Sequence, residues 1–416
     1  MHEDGDAAAR DEADGLFRVK SRVLTICGSG NAGHALAVVA SQHHDGEIDW
    51  LIGSEEKAEV LRRGFSSTGL RSTGVITGTA KRLRTISADP AEVIPGADMI
   101  LIVVPAYGHA TVLRRIAAYV SDTATIGCLP TRGGFEFEAA ALVPGAGGRR
   151  TIFGLQTLPW STRVVTLGEV VNIGAAKAEV VLAALPADDT AHVAARLAEI
   201  VGTQIVAAEN FLALTLGNPG QYIHPGLMYG HFRSYDGEEY DEARIPMFYS
   251  HASDEMGRIV EGLSDDAIRI SRAIETQSGQ RLDLRGVIPV HEWLRRSYAH
   301  VTDDTSSVAT CFRTGPIQAR KAPMAEIRPG RFVPDFAYRY MTEDVPYGLV
   351  VTKAVGEIAG VETPMIDEVV TWAQSVTERR YLLGGKLEGQ DAEGLPIPQN
   401  HGISTLGELV EWYSAS

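Results

Sequence analysis

The stretch that most restricts the fold is Gly28-Ser29-Gly30-Asn31-Ala32-Gly33, a GxGxxG run. It follows the short apolar run Val23–Cys27 (VLTIC) and opens a stretch, Ala35–Ser41, with the composition of a helix. Strand, glycine turn and helix in that order make the first βα unit of an open parallel sheet that binds a dinucleotide. The first glycine makes the tight turn, the second lets the backbone approach a pyrophosphate, and the third lets helix and strand pack closely. The competing reading is a glycine turn with no ligand.

The following residues extend the pattern. Ile48–Ile52, Met99–Val104, Thr125–Leu129 and Thr151–Leu155 read as further buried strands, with a helix over Glu55–Gly64. Strands alternating with helices give a parallel sheet. Gly53-Ser54-Glu55 stands where a ribose-binding acid is expected. Glu55 there would hold a 2′-hydroxyl, whereas Ser54 with Lys57 or Arg62 would hold a 2′-phosphate. The cofactor expected is NADH or NADPH, with the balance towards NADH. Pro105, which breaks the strand at Met99–Val104, joins Ser54 and the residues Gly28, Ser29, Gly30, Asn31, Ala32 and Gly33 as a cofactor-binding candidate.

The texture changes after about residue 210. Strand-like runs give way to amphipathic stretches over Asp254–Ser278, Pro289–His300, Tyr347–Ala359 and Pro364–Arg380. Thr363-Pro364 reads as an N-cap followed by proline at the first helical position. The expected architecture is an α/β Rossmann-type dinucleotide-binding domain over 22–208 and an all-α C-terminal domain over 209–416. Residues 1–21 are acidic, rich in Ala and Gly, and read as a disordered tail.

Charge and composition exclude several classes. A net charge of −15 argues against nucleic acid as a partner. No apolar run approaches membrane-spanning length, and no secretory signal opens the chain. Cys27, Cys128 and Cys311 are widely spaced, which argues against a disulfide framework or structural zinc and suits a cytoplasmic protein. No His/Asp/Glu set has metal-ligand spacing, so no metal is expected. An anionic ligand must then be held by helix N-termini, backbone amides and a few arginines.

One histidine stands out in the second half. His224, in NPGQYIHPGLMYG, has no charged neighbour for several residues. Pro225 should push it out of helical geometry, to a bend or helix entry. It reads either as a packed, hydrogen-bonded histidine or as an acid/base catalyst. The adjacent Asp303 and Asp304 could cap a helix from Thr305, or one could fix the imidazole tautomer. Arg339 lies among aromatics, and Asp344 either caps a helix from Val345 or meets a ligand. His109 and the pair His43-His44 read as solvent-facing.

Several stretches occur together and in order: GSGNAGHA, VVPAYGH, LPTRGGFEF, QTLPWSTR, YIHPG, VTDDTSS, PDFAYRYMTEDVPYG and GVETPMID. Through them the chain resembles the opine dehydrogenase family, the octopine and nopaline dehydrogenase group, over residues 28 to 367. The resemblance implies NAD(P)H-dependent reductive condensation of an amino acid with a 2-oxo acid such as pyruvate, in a cleft between a Rossmann domain and a helical domain. It implies that His224 is catalytic with Asp304 or Asp303 as partner, and that Arg339 and Asp344 contact substrates. Two departures bear on the amine. Gln156 stands where the marine octopine enzymes have Glu, and Arg132 stands near their amide. Together with Thr162 these residues complete the substrate candidates. A neutral Gln156 removes the partner a guanidinium would want, and a cation at Arg132 would favour an acidic or sulfonate-bearing amine. The expected amine is therefore neutral or acidic rather than arginine. Other readings are a metallophore synthase of the same reaction type with larger substrates, a 2-hydroxy acid dehydrogenase, and a non-enzymatic NAD(P)-binding protein. The expected partners are small molecules, without nucleic acid or membrane; a homodimer is compatible with the sequence.

Overall fold

The computed structural model describes residues 22–316 and 318–415. The expected tail over 1–21 lies outside the described residues. The nucleotide-binding half is built on an eight-stranded sheet: β1 (Val23–Cys27), β2 (Glu47–Leu51), β3 (Leu83–Ser87), β4 (Met99–Ile102), β5 (Thr125–Cys128), β6 (Ile152–Leu155), β7 (Glu179–Leu185) and β8 (Gln204–Ala207). Their order across the sheet is β8-β7-β6-β5-β4-β1-β2-β3. Strands β1 to β6 pair in parallel, β7 runs antiparallel to β6, and β8 is parallel to β7. The central strands are covered on both faces, which is why they read as unbroken apolar runs. Leu24, Ile26, Ile100, Leu101, Ile102 and Ile126 are all buried.

Strand order reverses between β1 and β4, the switch point where ligands bind in such sheets. The loops leaving these two strands touch there. A Cβ on Gly28 would sit 2.7 Å from the Val103 carbonyl oxygen, and Gly28 has φ +122°. Helix α1 (Asn31–His43) follows the glycine turn, and α2 (Glu55–Thr68) follows β2. A second, four-stranded sheet carries Arg71–Gly74, Gly78–Thr79, Trp160–Thr166 and Val170–Ala176. Its strands are short or interrupted by polar and small residues and partly exposed, so no unbroken apolar run marked them in the sequence.

The second half is helical. Helix α3 (Gly220–Phe232) packs on the long α4 (Asp254–Gln277), against which α5 (Val350–Ala359) and α6 (Pro364–Thr377) also lie. Ser253 caps α4 by accepting from the Met256 N–H at 3.2 Å. Thr363 precedes Pro364 as expected, but its hydroxyl donates to Asp367 Oδ1 at 2.9 Å instead of capping the backbone. A short hairpin, Met324–Arg328 with Arg331–Pro334, is added within the segment read as an ordered loop. The C-terminal helix Leu406–Ala415 crosses back to the nucleotide half: Tyr413 donates to the buried carboxylate of Glu136 at 2.7 Å.

Candidate active site

The glycine turn has the form a dinucleotide needs. A Cβ on Gly33 would meet the Gly28 carbonyl oxygen at 2.0 Å, so helix and strand can approach only without one. A Cβ on Gly30 would meet nothing within 4 Å, which leaves open space beside the backbone. Gly30 is the N-cap of α1 and no side chain caps that helix, so its first amides are available to an anion. Trp50 Nε1 donates to the Gly28 carbonyl at 2.8 Å and His34 Nδ1 donates to the Gly30 carbonyl at 2.9 Å. His34 Nε2 accepts from the Gly168 N–H at 3.0 Å, which fixes the tautomer. Ser29 is buried in the turn. Ala32 enters α1, while Asn31 accepts from the Val164 N–H at 2.8 Å. Ser54 sits at the end of the β2 connection as the N-cap of α2. Arg62, a candidate for a 2′-phosphate, is engaged by Glu55 and by Glu59 at 3.0 Å. Pro105 and Ala106 form the facing loop after β4.

A cavity of about 210 Å³ lies between the halves. His224 and Arg339 line it from the helical side, and Pro130, Gln156 and Leu158 line it from the other. His224 is not at a bend. It lies inside α3, and Pro225 is accommodated within the helix. Packing against α4 overrides the local bias of a residue before proline. Gly226 makes that packing close, since a Cβ there would sit 2.9 Å from Val260 Cγ2.

The imidazole is held at its edge and on one face. Its Nδ1 lies 2.8 Å from Asp344 Oδ2, and its ring stacks on Tyr340 at 3.9 Å between centroids, 12° from parallel. Arg320 in turn donates to the Tyr340 hydroxyl at 3.0 Å. The partner expected at Asp303 or Asp304 is therefore Asp344. Both Asp303 and Asp304 are exposed, and Asp304 accepts from the Ser306 N–H at 2.8 Å in the loop before the helix Val308–Thr314. That is the local turn chemistry an aspartate offers when nothing draws it inward.

Asp344 does not cap a helix with its side chain. It precedes a π-helical turn, Val345–Leu349, where the Leu349 N–H bonds the Asp344 carbonyl at 3.1 Å. Such turns recur at functional sites. Its carboxylate, fully buried, meets His224 through one oxygen and Arg132 Nη2 through the other at 2.9 Å. Burial alone would raise the Asp344 pKa, but Arg132, His224 and Arg339 outweigh it and hold the group below the usual carboxylate range. Asp344 is thus ionised and accepts, His224 donates from Nδ1, and Nε2 keeps its lone pair. Burial lowers the His224 pKa; Asp344 opposes this, and Arg132 and Arg339 add to it. The ring is neutral near pH 7, ready to take a proton.

Arg132 lines the cavity, but its charge is already met by carboxylates. It is buried, ion-paired with Asp344 and, at 3.6 Å, with Glu343, and donates to Asn218 Oδ1 at 2.7 Å. Removing one member of such a buried network leaves an uncompensated charge and costs about 3–5 kcal/mol. Arg132 therefore orders the site. Arg339 lines the cavity, is 44% exposed, and binds Glu343 Oε2 at 2.8 Å. Gln156 is buried, donates to the Gly217 carbonyl at 2.9 Å and accepts from Trp293 Nε1 at 3.2 Å. Thr162 is not brought to the cavity: it sits in the four-stranded sheet, opposite Ile173. His109 and His44 are buried rather than solvent-facing: the helix from His109 turns that residue to the core, and His44, just past the end of α1, lies 3.2 Å from the Arg22 carbonyl through Nε2. His109 Nε2 lies 3.3 Å from Cys128 Sγ.

Sequence reasoning missed Glu343, Asn218, Trp293 and Lys177. Glu343 is buried, meets Arg132 and Arg339, and accepts from the Ala106 N–H of the facing loop at 3.1 Å. Asn218 donates to the carbonyls of Thr131 at 3.0 Å and Gln156 at 2.8 Å. Both lay inside stretches already singled out, MTEDVPYG and NPGQYIHPG. Their bridging role depends on contacts far apart in the chain.

A neutral, carboxylate-held imidazole lines a cavity between the helical half and the half that carries the glycine turn, an arrangement that fits a two-domain dehydrogenase. Comparison with known proteins agrees. The model of the family described as NAD/NADP octopine/nopaline dehydrogenase, alpha-helical domain, matches residues 207–377. The opine dehydrogenase of Haliotis discus hannai is 33% identical over 408 residues, covering 94% of this chain and 99% of that one. The tauropine dehydrogenase of Arabella iricolor is 30% identical over 400 residues, covering 93% and 100%. A solved structure of octopine dehydrogenase with NADH and L-arginine superposes with a TM-score of 0.84 at 25% identity, covering 95% of this chain and 98% of that one. The chain belongs to the opine dehydrogenase family. It is an oxidoreductase of the class acting on CH–NH groups.

Proposed function

We propose that the protein condenses an amino acid with a 2-oxo acid, pyruvate in the first instance, and reduces the product with NADH to an N-(1-carboxyalkyl) amino acid. The observation that carries this reading is His224, lining the interdomain cavity and held from behind by the buried Asp344. The glycine turn supports a pyrophosphate on its open Gly30 side. The pairing of Arg62 with Glu55 and Glu59 leaves this arginine engaged rather than free for a 2′-phosphate, although it also occupies Glu55, and the reading stays with NADH. Bound there, the nicotinamide supplies the hydride that reduces the imine carbon.

The residues do the rest. His224 Nε2 takes a proton from the substrate ammonium, freeing its lone pair to attack the oxo carbon. The same imidazole, now protonated and stabilised by Asp344, returns the proton to the carbinolamine hydroxyl, which leaves as water. Arg339 is the exposed guanidinium beside His224, and its planar fork suits a substrate carboxylate. The amine is neutral or acidic rather than arginine, because Gln156 offers no charge and both its amide ends are spent on Gly217 and Trp293.

The decisive assay is oxidation of NADH and NADPH with pyruvate, alone and with each standard amino acid. Oxidation that requires an amine is expected, with NADH the better donor. Oxidation by pyruvate alone would instead assign a 2-hydroxy acid dehydrogenase.

A further inference from the structure

Three cations line the cavity: Arg132, Arg339 and Lys177. They differ in how their charge is met. Arg132 is neutralised by Asp344 and Glu343, and Arg339 shares Glu343. Lys177 has no carboxylate at ion-pair distance among the described residues. It stands in the turn between Val170–Ala176 and β7, with its N–H bonded to the Pro159 carbonyl at 2.9 Å. Its Nζ donates to the Leu158 carbonyl at 2.6 Å. An ammonium has three donors, so two remain. Burial is the sole influence on this group and pushes its pKa down to about 8. Lys177 is half-buried, and a cation partly withdrawn from water with no counterion is costly unless something supplies one.

Its position separates it from the chemistry. Lys177 also lines an adjoining cavity of about 270 Å³ that shares Gln156, Thr157 and Trp293 but reaches neither His224 nor Arg339. It therefore marks the partition end of the substrate cavity, away from the imidazole. An α-carboxylate at Arg339 leaves the amino acid side chain to run towards that partition, past the apolar walls of Leu158 and Trp293.

We propose that Lys177 is a specificity-determining residue that binds an anion at the end of the amino substrate's side chain, so that the enzyme takes an amino acid ending in a carboxylate or sulfonate. This rests on the opine-forming reading of the cavity and narrows its amine. A guanidinium or ammonium brought to the same place would meet a like charge across a poorly solvated wall, where repulsion is weakly screened.

The test uses the full-length enzyme with NADH and pyruvate against L-glutamate, L-cysteate, L-alanine and L-arginine. The expected kcat/KM for glutamate or cysteate exceeds that for alanine by about tenfold or more. Lys177→Met should abolish that preference through KM while sparing alanine, and Lys177→Arg should restore most of it. In the unmodified enzyme the KM for glutamate, relative to alanine, should climb as pH rises through about 8, where Lys177 loses its proton. That ratio decides the matter if Lys177→Met does not fold. A flat ratio, or an acidic preference that survives Lys177→Met, overturns the assignment of Lys177 while amine-dependent turnover leaves the proposed reaction standing. Absence of amine-dependent oxidation with every amine removes both.

Discussion

The imidazole of His224 has neighbours with distinct jobs. Tyr340 fixes its plane, Asp344 fixes its tautomer, and Arg132 keeps Asp344 ionised. His224→Ala should lower kcat by roughly 10²–10⁴ while NADH binding, followed by fluorescence, is retained. Asp344→Asn tests the tautomer. Asp344 favours the imidazolium, so its loss lowers the His224 pKa further. The acid limb of kcat/KM, which falls as His224 takes up a proton, should then move to lower pH. A shift to higher pH would contradict the pairing. The sequence pointed to the histidine but not to its partner. The two lie 120 positions apart, and Asp303-Asp304 offered a conspicuous acidic pair with no means of showing which way it faced.

At the scale of elements, the legible parts were those whose physics is local. The strand–glycine turn–helix unit, the continuous apolar strands and the capped amphipathic helices all carry their own signals. The strands at Arg71–Gly74 and Trp160–Thr166 did not: the first is short, polar and paired with the distant Val170–Ile173, and the second is a half-exposed edge strand whose hairpin with Val170–Ala176 carries no regular alternation. The placement of His224 inside α3 was illegible for the same reason: a local proline rule lost to packing. The π-helical turn shows how closely the elements meet. A Cβ on Gly348 would stand 2.4 Å from Gln221 Cβ of α3. Gly348→Ala should therefore force the turn and the helix apart, costing about 1–3 kcal/mol in thermal stability. It should also lower kcat, because Asp344 and His224 ride on those two elements. An unchanged Tm with unchanged kcat would show that the contact yields freely.

Across the whole molecule, buried histidines make stability depend on pH. His109 is fully enclosed, and burial lowers its pKa from 6.5 to about 4. Between those values the unfolded chain binds the proton and the folded chain does not, so stability falls as pH drops through that window. The loss from this group alone approaches about 3 kcal/mol by pH 4. His34 and His231 are lowered by burial in the same direction. Denaturant melts at pH 7 and pH 5 should show the acid sample weaker, and His109→Gln should reduce the difference between them. A wider gap in that variant would exclude His109 as a source.

Glu343 has a consequence at this scale too. One of its oxygens holds the Ala106 amide, on the loop beside the nucleotide turn, and the other holds Arg339. A carboxylate ligand that draws the guanidinium away changes the charge left facing that amide. Occupancy on either side of the cleft is then felt on the other, and reciprocity requires both affinities to change by the same factor. Titrations of nucleotide with and without oxo acid would measure that factor.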